Sequence, residues 1–165
     1  MKKSYFKRKL TVPLKKTKIK VVGHSTVSEQ KEEIQHLLRL NVVYRDGGCI
    51  LRNIRHCDSV AFVEERKVIS NVTIQADHLI TRANSATYAD LRLVVCICSG
   101  CHFWKKYNEK QYDVLVKTII SKERVKLWDI CLISSWKPVR TSTYDWKIAI
   151  VVLNNELKQY EQKQN

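Results

Sequence analysis

The chain of 165 residues has no apolar run approaching the length of a membrane span. Its Lys-rich start lacks the apolar stretch and small-residue cleavage site of a secretory signal. The expectation is a protein that stays in the cytoplasm of the cell that makes it. Acid is missing from the first 24 residues, which carry nine Lys or Arg. Internal repeats are missing too, and low complexity is confined to the Gln/Lys-rich end. Proline is scarce: Pro13 interrupts the basic start, and Pro138 breaks a helical run near the end.

What is present fits one domain, since 165 residues can bury a real core but cannot make two comfortable ones. Residues 1–24 read as a basic flexible arm, and 25–165 as a single domain. The formal net charge is +14, of which the arm holds +9 and the other 141 residues only +5. A basic arm ahead of a milder body points to a polyanion, with nucleic acid the first choice and a merely solvated tail the alternative. Salt-sensitive binding would separate the two. In a reducing compartment, six cysteines with one close pair point to metal ligation more than to disulfides.

The segment from Ser25 is helical in pattern. Thr26 with Glu29 makes a capping box, and Ile34, Leu37, Leu38 and Val42 follow on one face. Arg45-Asp46-Gly47-Gly48 ends that helix and turns the chain into Cys49. Val60 to Ile74 suits a hairpin whose second strand delivers Asp77-His78. Leu79 to Asp90 reads as a polar loop, and Leu91 to Ile97 as a short strand leading into Cys98-Ser99-Gly100-Cys101-His102. Beyond His102 come helices carrying Tyr112, Leu115, Val116 and Ile119, then Ser121 as a cap with Val125, Trp128 and Leu132. A last helix from about Ser142 stripes Trp146, Ala149, Ile150, Leu153, Leu157 and Tyr160. These helices are read as core and lid without chemistry, and their tryptophans as packing.

Cys98 and Cys101, two residues apart, can turn both sulfurs onto one tetrahedral ion, whereas Cys49 and Cys57 are spaced more widely than the usual two to four. A looped-out first knuckle still brings Cys57 round, so a structural Zn²⁺ held by Cys49, Cys57, Cys98 and Cys101 is the expected site. His56 competes with Cys57, Cys96 lies close enough to Cys98 to compete with it, and Cys131 reads as a small core residue. His24 and His36 read as surface residues. The carboxylate and imidazole of Asp77-His78, with a second imidazole at His102, are the parts that hold a divalent ion on a phosphodiester and activate water.

Asp77-His78, a loop, then Cys98-x-x-Cys101-His102 downstream of another cysteine pair resembles the HNH (ββα-metal, treble-clef zinc) endonuclease superfamily. The stretch from Gln75 to Lys105 is similar to phage HNH proteins of the NinG recombination type. The match covers roughly residues 35–125. The resemblance implies an α+β fold with a small treble-clef core over about 45–120, a helix in front and C-terminal helices over about 121–163. It implies that His78 is the general base, that Asp77 and His102 hold a catalytic Mg²⁺ or Mn²⁺, and that the cysteines hold a separate zinc. The family's central Asn falls on Leu93 here, with Asn84 and Asp90 as loop residues able to support the base instead.

Arg82, Arg92, Lys105 and Lys106 are the candidate phosphate contacts. The expected activity is DNA cleavage, in branched or recombining duplex by analogy with the phage proteins, and a two-cut reaction would call for a homodimer. The competing expectation is a zinc-stabilised treble-clef module that binds DNA without cutting it. A third, a disulfide-bearing structural protein, predicts no zinc.

Overall fold

The computed structural model describes residues 26–80, 87–134 and 143–164. The architecture is α+β, with helices around two small antiparallel sheets. The basic arm, Arg82, Asn84, Pro138 and Ser142 lie outside the described residues.

Helix α1 (Val27–Asp46) starts on the reciprocal capping box of Thr26 and Glu29 and ends at Gly47, which takes φ +64°. The apolar stripe read from the sequence is buried, and so are Leu40, Asn41 and Val43. The wider burial follows from position: α1 has α6 (Thr143–Gln164) on one flank and the strands on another. Buried Asn41 donates to the carbonyls of Leu37 and Leu153, fastening α6 to α1. Leu153 and Leu157 close that interface, and Tyr44 stacks on Tyr160.

After the single turn α2 (Arg52–Arg55), β1 (Ala61–Glu64) and β2 (Lys67–Ser70) form a hairpin. Glu65 and Arg66 at its tip both take positive φ, as a two-residue hairpin loop of matching twist demands. Asn71 closes the open end, accepting from the Val60 N–H and donating to the Asp58 carbonyl. The hairpin therefore ends before Asp77-His78, contrary to the sequence reading. That pair sits on a third strand, β3 (Ile74–His78), which pairs antiparallel with β4 (Val94–Cys98) and places Asp77 opposite Val95 and His78 opposite Val94. A short 3₁₀ turn at Leu91–Leu93 precedes β4.

All five residues of β4 are buried. Its edge away from β3 is occupied by groups that are not strands. The Cys96 N–H donates to Asp46 and the Cys96 carbonyl accepts from the Ile50 N–H. The Val94 carbonyl accepts from both Arg45 and Arg124. Helices α3 (Ser99–Lys105), α4 (Glu109–Ile119) and α5 (Lys122–Ser134) follow, contributing buried Cys101, Tyr112, Val116 and Trp128 to a single core cluster. Trp128 and Trp146 are buried packing residues. No helix among the described residues is long and apolar enough to cross a membrane.

Candidate functional site

The sulfur atoms of Cys49, Cys57, Cys98 and Cys101 all lie within 4.8 Å of one another. A tetrahedral Zn²⁺ with bonds of about 2.3 Å sets its sulfurs about 3.8 Å apart, so the cage has the right size. Two turns build it. Gly48 adopts φ +132° and lies so close to the neighbouring chain that an added Cβ would meet the Ser59 carbonyl oxygen at 2.4 Å. That approach lets Ser59 accept from the Cys49 N–H at 3.0 Å and hydrogen-bond Cys57 Sγ at 3.8 Å. In the second turn, Cys98 precedes α3 and its sulfur accepts from the Cys101 N–H at 3.4 Å.

Burial pushes the Cys49 thiol up to about 11, and pushes Cys101 up further with help from the neighbouring sulfurs. Burial also raises Cys57, but hydrogen bonds from Ser59, Cys49 and Cys101 outweigh it and leave that thiol below its ordinary value. Sulfurs this crowded give up their protons to a cation that binds them. These four cysteines could hold a structural metal ion such as zinc. His56 is exposed at the end of α2 and stands outside the cage, as do Cys96 and Cys131.

A second constellation lies where β3 meets α3. Asp77 is buried, and its Oδ2 accepts from the Tyr112 hydroxyl and from Lys105 Nζ at 2.8 Å. Its Oδ1 faces His102 Nε2 at 3.6 Å. Burial, and then the negative charge of Asp77, push the Tyr112 hydroxyl far above its ordinary range, so this phenol donates and does not ionise. An open pocket of about 540 Å³ adjoins the pair, lined by Ser99, His102, Phe103, Lys105, Lys106 and Glu109.

His78 projects from β3 to the other side, as the alternation of a strand requires. Its Nε2 lies 2.9 Å from the Tyr88 carbonyl oxygen, and its ring leans on the Tyr88 ring with centroids 5.2 Å apart. Since a carbonyl only accepts, Nε2 is the donor in this contact. Tyr88 in turn meets Trp146 edge to face. The structure thus brings Asp77 and His102 together and seats His78 against Tyr88.

The remaining candidates separate. Lys105 contacts Asp77, and exposed Lys106 lines the pocket. Asp90 caps the 3₁₀ turn through the Arg92 N–H and pairs with the exposed Arg92 guanidinium at 2.7 Å. Tyr112 was read only as a core position, yet it anchors Asp77. The available signal was its hydroxyl, because a tyrosine on a buried stripe needs a polar partner. No family model, curated protein or solved structure matches this chain.

Proposed function

We propose that the protein is a metal-dependent endonuclease of HNH type, hydrolysing phosphodiester bonds in DNA on a treble-clef, ββα-metal core stabilised by zinc. The observation that carries this reading is Asp77 Oδ1 facing His102 Nε2 at 3.6 Å, directly after the cysteine knuckle and beside a lysine-rimmed pocket. One carboxylate oxygen and one imidazole nitrogen, aimed at each other without a short hydrogen bond, suit two ligands of a divalent ion. Bound there, Mg²⁺ or Mn²⁺ would supply charge neutralisation at the scissile phosphate and at the leaving 3′ oxygen.

The protein's own groups account for the rest. Tyr112 and Lys105 hold Oδ2, which fixes the direction of Oδ1. His78 is the last residue of β3 and faces away from Asp77, so this reading requires the phosphate to lie across the end of the strand. His78 is the general base in this reading and takes the proton of the attacking water. The water oxygen bonds to phosphorus, the bond to the 3′ oxygen breaks, that oxygen takes a proton from solvent, and 5′-phosphate and 3′-hydroxyl ends result. Lys106 holds the phosphate backbone, and the basic arm adds sequence-independent affinity. Recombination intermediates of a phage are the proposed substrates, and cutting two strands would take a homodimer.

One observation favours a second reading. Lys105 already places an ammonium 2.8 Å from Asp77, the arrangement of a buried structural ion pair. On that reading the chain is a zinc-stabilised DNA-binding module without catalysis. Nicking of supercoiled plasmid with Mg²⁺ or Mn²⁺ decides between them: His78→Ala should slow it by about 10²–10⁴-fold. Equal cutting by both proteins removes His78 as the base. DNA binding without cutting by the native chain establishes the second reading.

A further inference from the structure

Helix α3 and the turn after it carry three aromatic rings, and only one is covered. Trp104 is half-buried beneath the Arg55 guanidinium, 4.0 Å from its ring centroid. Phe103 and Tyr107 are 64 % and 69 % exposed. They are neither scattered nor independent: their rings meet at 5.3 Å with an interplanar angle of 65°. Elsewhere among the described residues, Tyr112, Trp128, Tyr88 and Trp146 are buried. Phe62 on the β1–β2 hairpin is also open, 54 % exposed, but Phe103 and Tyr107 are open with their rings in contact and beside a basic pocket.

Their surroundings indicate the occupant. Phe103 forms one wall of the pocket that also contains His102, Lys105 and Lys106. Lys106 Nζ lies 6.0 Å from the Tyr107 ring centroid. A π-face beside an ammonium, continuous with a basic pocket, matches the two halves of a nucleotide: a flat base and a charged phosphate. Bases inside an intact duplex are stacked on one another and offer no face to such rings. Unpaired bases do.

We propose that Phe103 and Tyr107 form a stacking platform for unpaired bases of single-stranded DNA at the mouth of the Asp77–His102 pocket. The proposal rests on the nuclease reading for its substrate class. It implies that the site engages strands with exposed bases in preference to continuous duplex.

The test uses the full chain with its zinc, without added Mg²⁺ or Mn²⁺, so that binding is read in the absence of cutting. The probes are a fluorescent thymidine homo-oligonucleotide and a blunt duplex of equal length, followed by anisotropy. Phe103→Ala and Tyr107→Ala should each weaken binding of the oligonucleotide by roughly 5- to 100-fold, the usual worth of one stacked base. Duplex affinity should stay within about twofold, and Phe103→Tyr and Tyr107→Phe should keep native affinity because the π-face survives. Unchanged oligonucleotide binding in both alanine variants, or an equal loss for both probes, would overturn the platform. Loss of self-association on sizing columns with oligonucleotide binding intact would also overturn it, assigning the rings to a protein contact. Failure of the two readings is distinguishable: a chain that shows the ring-dependent binding but never nicks DNA loses only the nuclease, and one that nicks through His78 with indifferent rings loses only the platform.

Discussion

The two ends of the β3–β4 sheet present different kinds of site. At the Cys98 end, four sulfurs from two turns converge within 4.8 Å, and the protein supplies every corner of a tetrahedron. At the His78 end, one carboxylate oxygen and one imidazole nitrogen face each other at 3.6 Å beside an open pocket. A closed ligand set is what a structural ion wants, whereas an open one leaves room for water and substrate. The backbone that builds them is shared, since β4 ends in Cys98 and α3 carries both Cys101 and His102. The contrast teaches that one short strand-turn-helix can place a closed set of four sulfurs and, in the residue that follows, an imidazole facing an open pocket.

Emptying the closed end should have the largest effect. Structural zinc contributes roughly 10–16 kcal/mol in comparable small sites, about the whole stability of a domain. Cys98→Ser and Cys101→Ser should therefore lose both the metal and the cooperative melting transition, checked by elemental analysis and circular dichroism. Cys96→Ser and Cys131→Ser should keep one metal per chain. Zinc retained in Cys57→Ser and lost in Cys96→Ser would reverse the ligand assignment.

Perturbing the turn or the open end should cost less. Gly48→Ala forces a Cβ into the Ser59 carbonyl at an unfavourable φ, and should destabilise by about 1–3 kcal/mol or more in denaturant titration. Tyr112→Phe removes a hydroxyl donor from the buried Asp77 and should cost about 1.5–3 kcal/mol while leaving zinc content unchanged. A loss of zinc in that variant would show that the two ends are not separable.

The smallest effect concerns Asp113. Partial burial, and then repulsion from Glu109, raise its carboxyl above the ordinary 3.8. A raised carboxyl favours the folded state below that value and loses this advantage as pH rises through the folded one. Asp113→Asn should accordingly raise the melting temperature slightly at pH 7, and the gain should vanish toward pH 3. A gain of equal size at both pH values would assign it to packing instead of charge.

Much of this was legible in the chain because it is local. The Thr26–Glu29 box, the apolar stripe of α1 and the Gly47 terminus follow from residues within a few positions of one another. The four cysteines selected by spacing are the four whose sulfurs meet. What could not be read depends on contacts between distant segments. Asn41 is buried only because α6 lies on that face, and the acceptor it reaches is more than a hundred positions away, at Leu153. The Tyr112 and Lys105 contacts to Asp77 likewise require α3 and α4 to fold back over β3. The hairpin boundary was missed because Asn71 resembles an ordinary turn residue until its side chain is seen closing the β1–β2 ladder.

The outer edge of β4 has a consequence for behaviour at high concentration. A two-stranded sheet normally offers an unpaired rim on which another chain can lay a strand, the first step of fibril growth. Here Asp46, Ile50, Arg45 and Arg124 already hold the Cys96 and Val94 groups that such a strand would need. Sheet-to-sheet aggregation through β4 is blocked by side chains at the C-terminal end of α1 and on α5, and by a backbone N–H of the loop after α1. Weakening that guard with Asp46→Ala would expose the Cys96 N–H and make turbidity on storage its most sensitive reporter.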